Sequence, residues 1–474
     1  MSIARQIHTA FYAAVLLCLV GCSTPIKTYY AHSEAILGTR YGFLGDNGLY
    51  HDVLYAPDVI SLSFDGYIVG LDKSPRERIG YPSTGDIYRD QTQSGMTKVV
   101  SRLKNEPKSH YVSQVVWNTG KPFGDGNCFL HSVYSYKPID HSFPSALTPL
   151  AIPCGEKLEN QPEPDPGMVF LDSFKAIEKL SSHIQTRLKS GTRYTHVLFA
   201  VMGWNTPQIE AVRNFNSIAT NIRRASGVNE NFNPLFIGVT WSSYWDQNWF
   251  DALIRLASYP NKANDADEIG ASWLGLLIER ISEVIPGIPK VAIGHSFGAR
   301  AASMAVCMGS QFNMAVAPQT QQVASAVSVT PIDLFIALQP AVSINRFLKG
   351  GGWDEIEYPE SCSRAKRIVV TASSSDDAVK SAFWADMAGA EKTWRDVCEN
   401  KRSKFKESPA CLTAEASGKT NVESVSVPEH FVYVDASPLV FFEHPNTGGG
   451  AHSDIYRPET GAFAWQWFPL MLPH

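Results

Sequence analysis

A serine sits between two glycines in Gly294-His295-Ser296-Phe297-Gly298, a G-x-S-x-G pentapeptide. A serine hydroxyl becomes a nucleophile only when a base takes its proton and a third group orients the base. After Ser296 the chain offers both. Carboxylates stand side by side in Ser373-Ser374-Ser375-Asp376-Asp377, and histidines follow at His430, His444, His452 and His474. His452 lies in Gly448-Gly449-Gly450-Ala451-His452-Ser453, where glycines give the backbone freedom to place an imidazole. His444 precedes Pro445 in a loop, His430 stands at the mouth of an expected strand, and His474 is the last residue. His295 reads as an oriented neighbour of the serine. The chemistry on offer is acyl transfer, with serine attacking, histidine shuttling the proton and aspartate orienting it. Such a pentapeptide arises by chance about one time in six in a chain of this size, so its context must carry the weight.

That context is strand and helix in alternation. Short apolar runs at residues 196–202, 235–241, 290–294, 333–338, 367–371 and 431–434 read as strands buried on both faces. Between them, residues 173–188, 207–225, 267–284 and 299–308 have helical spacing, with Asp267 a plausible cap. The pattern implies an α/β class: a mostly parallel sheet between helix layers. Ser296 follows a strand and opens a helix, the setting of a nucleophile elbow. Residues before about 166 are less legible. Strands are expected at 59–70 and 111–117, with Asp65-Gly66 a hairpin signal inside the first. The proline-rich run from Gln161 to Gly167 marks a soft boundary. We divide the chain into residues 1–21, an extension over 22–166 that can add the first strands of the sheet, and a catalytic domain over 167–474.

With these motifs in place, the chain resembles the α/β-hydrolase superfamily, nearest to bacterial serine esterases and lipases. The resemblance covers roughly residue 173 to the C-terminus. It implies the chain order Ser, acid, His. It picks Asp376, because the family's acid is followed by two residues and an aliphatic, here Val379; Asp377 stays the rival. It picks His452 from a His-Ser-x-x-Tyr ending, with His444 the alternative. It also implies an oxyanion hole built from the amides of Phe297 and of Trp204 in Val201-Met202-Gly203-Trp204-Asn205. Many relatives carry histidine where this chain has Met202, which leaves the side-chain support of that loop open.

The first residues read as an export signal. Arg5 precedes a short apolar run over residues 10–20, too short to span a bilayer comfortably. The run ends in Leu19-Val20-Gly21-Cys22, which resembles the lipobox of bacterial lipoproteins, with Cys22 the lipidated residue. Ser23 after it favours the outer membrane of a Gram-negative cell by the same resemblance. The expected partners are an ester or lipid substrate and a membrane reached through the anchor. A net charge of −5 without basic blocks excludes a nucleic-acid binder, and a 44% apolar composition suits a sizeable core.

Eight cysteines are present. Setting aside Cys18 and Cys22, the local pairs Cys128–Cys154 and Cys398–Cys411 are expected as disulfides, and Cys307 as a free thiol in a buried helix. No cysteine or histidine cluster has zinc spacing, and neither metal nor cofactor is expected. Asp265, Asp267 and Glu268 could be calcium ligands, but without an EF-hand pattern they read as helix caps and solvated acids. Trp241, Tyr244, Trp245, Trp249, Phe250 and Tyr259 either wall an acyl pocket or pack in the core. The function expected is ester hydrolysis. Acyl transfer to another alcohol or peptidase action uses the same residues, and a non-catalytic surface lipoprotein is the reading from another class.

Overall fold

The computed structural model describes residues 61–73, 99, 103, 110–121, 126–132, 152–155, 169–204, 206, 208–227, 232–241, 243, 262–312, 332–348, 356–380, 386–400, 409–421, 430–443 and 449–471. The N-terminal signal with Cys22, the proline-rich boundary, His444, His474 and all of the aromatic cluster except Trp241 lie outside these residues.

Apolar runs that cannot face water on either side must be covered by helices, and the chain obliges. Among the described residues, eleven strands form one sheet in the order β10-β11-β9-β8-β7-β5-β6-β1-β2-β3-β4. The strands are β1 (Asp65–Lys73), β2 (His110–Thr119), β3 (Cys128–Ser132), β4 (Ile152–Pro153), β5 (His196–Val201), β6 (Pro234–Trp241), β7 (Lys290–His295), β8 (Ile332–Leu338), β9 (Ala365–Ala372), β10 (Ala410–Thr413) and β11 (Phe431–Asp435). From β10 across to β1 neighbouring strands are parallel; β2 then runs antiparallel to both β1 and β3. The N-terminal region thus supplies β1 to β4 to the same sheet as the later strands.

The alternation of side chains along β5 divides the core into two. Val197, Phe199 and Val201 face one layer. Leu198, Ala200 and Met202 face the other. The first layer holds α1 (Val169–Lys189), α3 (Gly275–Val284), α4 (Phe297–Met308) and α6 (Glu391–Cys398). The second holds α2 (Gln208–Ala225) and α7 (Pro458–Trp465). In α1, Ile177, Leu180 and Ile184 recur at helical spacing and are fully buried, so burial rather than propensity fixes this helix. Each such side chain contributes about 1.5–3 kcal/mol. A short α5 (Asp377–Lys380) follows β9. Among the described residues no helix is long and apolar enough to cross a membrane.

Several expectations are corrected. Asp65-Gly66 is not a hairpin turn but the start of β1, where Gly66 pairs with Phe236 of β6. A Cβ on Gly66 would stand 2.9 Å from the Phe236 carbonyl oxygen, so close strand approach explains this glycine. Asp65 is held by Arg187 and by the Trp117 indole. Asp267 does not cap a helix. Helical residues already run from 262, and a π turn at Gly270–Leu274 leads into α3. Cys307 is not free: it bonds to Cys362, because the end of α4 and the turn before β9 meet at a Cα–Cα distance of 4.6 Å. Cys128–Cys154 and Cys398–Cys411 also form disulfides.

Candidate active site

The sheet order reverses around β5: β6 lies on one side of it and β7 on the other. In open parallel sheets the crevice beyond the carboxyl ends of strands at such a switch point is where ligands bind. Ser296 emerges there, after β7, and residues 202–204 emerge beside it, after β5.

Ser296 has φ 56° and ψ −126°, a left-handed-side backbone that serine rarely adopts. The elbow is held from below by the end of β8. The Ser296 amide donates to the Leu338 carbonyl at 3.1 Å, and the Ser296 carbonyl accepts from Ala341 at 3.2 Å. Its two flanking glycines are steric necessities. A Cβ on Gly294 would lie 2.4 Å from Ala299 Cα, and one on Gly298 2.3 Å from the Val201 carbonyl oxygen. Gly203 is equally constrained, since its Cβ would stand 2.7 Å from that of Ser296. The loop after β5 therefore presses directly on the turn that carries Ser296, and the Trp204 ring meets that of Phe297 at 5.8 Å.

Met202 lacks the side-chain support a histidine would give, and the support comes from β6 instead. The Trp241 indole donates to the Met202 carbonyl at 2.8 Å, and the Ser243 hydroxyl donates to the Thr206 carbonyl at 3.1 Å. Trp241 is thus a core residue that fixes this loop. Its indole donor and its place at the end of a strand were the only signals in the sequence.

Asp376 and His452 come from the far side of β7. His452 Nδ1 lies 2.7 Å from Asp376 Oδ2. Asp376 is fully buried, and its other oxygen accepts from the Val379 amide, so one carboxylate both caps α5 and holds the imidazole. Asp377, with a side chain 60% exposed, pairs with Lys380 and turns away. One residue of register decides which of the two aspartates meets His452. The glycine-rich loop docks on the acid loop through its main chain: Asp377 and Ala378 donate to the Gly449 carbonyl, and Ala451 donates to Ser375. Gly449 and Gly450 both have positive φ, at 77° and 65°. His430 is elsewhere, joined to the carbonyls of Lys366 and Ser361 at the amino ends of β9 and β11, the opposite end of the strands from Asp376.

Ser296 and His452 share no direct hydrogen bond. What links them is His295, whose ring lies 4.8 Å from that of His452. The sequence had pointed to His295 only as an oriented neighbour of the serine. Behind α4, Asp267 is buried between Arg300 and Arg346, each giving it two hydrogen bonds. Burial alone would raise its pKa, but the two guanidiniums outweigh that and hold the carboxyl well below the usual range. Arg300 stands four residues after Ser296, so this cluster anchors the helix that Ser296 opens. Asp454, two residues past His452, accepts from the Phe441 and Phe442 amides and from Arg457. These partners lower its pKa despite burial.

Asp265 and Glu268 are not solvated acids. They are 2% exposed and form a buried cluster with His110, with Lys262 paired to Asp265 at 3.4 Å. Asp267 faces away from this cluster, so the three acids do not act as one ligand set.

Compared with known proteins, the chain matches no family model, no curated protein and no solved structure.

Proposed function

We propose that this chain is a serine hydrolase of the α/β-hydrolase type that cleaves carboxylic esters. The observation that carries the reading is the Asp376–His452 hydrogen bond, brought beside a positive-φ serine at the sheet's switch point. Ser296, Asp376 and His452 come from three separate loops, after β7, after β9 and after β11, which supports this reading.

In this reading the Ser296 hydroxyl attacks the ester carbonyl carbon and gives its proton to His452 Nε2. His452 Nδ1–H donates to Asp376, which fixes the tautomer and stabilises the imidazolium that forms. The carbonyl oxygen becomes an oxyanion, met by the amides of Phe297, at the start of α4, and Trp204. One such donor contributes about 3 kcal/mol to the transition state. His452 returns the proton to the leaving alcohol, and water then cleaves the acyl-enzyme by the same steps. Hydrogen bonds between base and nucleophile are often long in free enzymes and tighten with substrate, which accommodates the open Ser296–His452 contact.

The chain is also proposed to be exported and anchored through lipid on Cys22, on the outer membrane of a Gram-negative cell. Three disulfides support the export half of this, since such bonds persist in oxidising compartments. A binding protein that keeps the fold without catalysis is the second reading, and the open Ser296–His452 contact favours it.

A fluorophosphonate probe separates the two. Covalent labelling at Ser296, lost in Ser296→Ala with the melting temperature unchanged, is expected. Unlabelled Ser296 in folded protein overturns the hydrolase reading. A series of p-nitrophenyl esters of increasing acyl length then reads the substrate preference.

A further inference from the structure

His295 precedes the nucleophile, yet its side chain is 4% exposed and faces inward. Its Nε2 lies 2.8 Å from the main-chain carbonyl oxygen of His452. A carbonyl only accepts, so the proton of the neutral ring sits on Nε2 and Nδ1 keeps its lone pair. Burial first, and the neighbouring His452 second, push the His295 pKa down to about 3, so the ring stays neutral even in mild acid. On its other side, Nδ1 makes no hydrogen bond and lies 3.3 Å from where a Gly203 Cβ would stand. The ring is wedged between the loop that carries the base and the loop that leads to Trp204.

The bonds that dock the glycine-rich loop, from Asp377, Ala378 and Ala451, all tie it to the acid loop. They hold His452 to Asp376 but say nothing about its distance from Ser296. Among the described residues, the His295–His452 hydrogen bond is the one that ties the base residue itself to the nucleophile strand.

We propose that His295 is a positioning residue: its Nε2–H holds the main chain of His452 so that one imidazole can serve Asp376 and Ser296 together. This rests on the triad reading above. A neutral ring suits the task, because His452 becomes a cation during turnover and a charged neighbour 4.8 Å away would oppose it. Without the tie, the base loop keeps its bond to Asp376 while its imidazole drifts from the serine. A misplacement of this kind costs about 10²-fold in rate.

The test compares His295→Phe, which keeps a ring and loses the donor, with His295→Gln, which keeps an N–H of similar reach. On p-nitrophenyl butyrate, the Phe variant is expected to lose about 10²-fold in kcat with KM nearly unchanged, and Gln to stay within about tenfold of wild type. The downfield Nδ1–H proton resonance of His452, held by Asp376, should persist in both, placing the loss in the base–nucleophile contact. A Phe variant with wild-type kcat overturns the proposal, and so does a Gln variant as slow as Phe. Should the Phe variant not fold, the tautomer of His295 in the wild-type protein decides. The 15N spectrum of wild-type protein gives an arm independent of activity. A neutral Nε2–H tautomer at His295 in mild acid is expected, and an imidazolium or Nδ1–H form overturns the inference. A wild-type chain that shows this tautomer but neither labels at Ser296 nor turns over ester overturns the triad reading, and the catalytic role of His295 with it.

Discussion

Asp376 Oδ2 and His452 Nδ1 meet at 2.7 Å across 76 residues of sequence, while Asp377, the very next residue, points to solvent. A carboxylate that is fully buried and divides its two oxygens between a backbone amide and an imidazole can hold that ring in one tautomer. An exposed carboxylate paired with a lysine cannot.

Asp376→Asn should therefore lower kcat by about 10⁴-fold, by the tautomer argument for serine proteases, with little change in KM. Asp377→Asn should stay close to wild type. Steady-state kinetics of both variants on one p-nitrophenyl ester decide this, and equal losses would show that register is not what selects the acid.

The glycines around the elbow give a graded prediction. Gly203→Ala places a methyl group 2.7 Å from Ser296 Cβ and should abolish labelling of Ser296 while the protein remains folded. Gly298→Ala drives a methyl into the Val201 and Met202 carbonyls at 2.3 and 2.4 Å and should impair folding as well. Gly227, with positive φ but open space around it, should tolerate alanine at about 1 kcal/mol. Melting temperatures and labelling measured side by side would expose a wrong order.

The Cys307–Cys362 bridge closes a separation of 55 residues, against 13 for Cys398–Cys411. Paired replacement of Cys307 and Cys362 by alanine should cost about 2–5 kcal/mol. The same change at Cys398 and Cys411 should cost less by about 1 kcal/mol, since loop-closure entropy grows with the logarithm of length. Urea denaturation of the two double variants is the check, and a costlier Cys398–Cys411 loss would contradict it.

Acid should destabilise the fold before most carboxylates titrate. Burial lowers the pKa of His196, and of His131, from 6.5 to about 4. Between these values the unfolded chain binds protons that the folded chain refuses, so stability is full above 6.5 and falls as pH drops towards 4. His196→Phe, which keeps the ring contacts with Phe232 and Phe468, should flatten that fall. An unchanged slope in denaturation midpoints against pH would show that His196 is not a source.

Most of the fold class was legible because the strands β5 to β9 are apolar on both faces and the helices between them carry a 3.6-residue period. Local pattern suffices for such elements. The strands β3, β4 and β10 were missed for the complementary reason. They are short, and β10 alternates half-buried with exposed residues, so only pairing with β2, β3 and β11 makes strands of them. The disulfide of Cys307 was likewise invisible, because nothing in 55 residues of chain says that the end of α4 meets the turn before β9.

For the site, the sequence by itself determined the serine elbow: a strand, two glycines and a helix within a dozen residues leave one conformation that fits. It determined that an acid and a histidine follow. Only the tertiary structure decided which aspartate meets His452, because Asp376 and Asp377 are chemically identical and differ in the side of the chain that register turns towards it. It also decided that the Trp241 indole holds the Met202 carbonyl and that His295 is joined to the main chain of His452. Those contacts join residues 39 and 157 positions apart, and distances of that kind are set by how the sheet orders its strands, which no local pattern encodes.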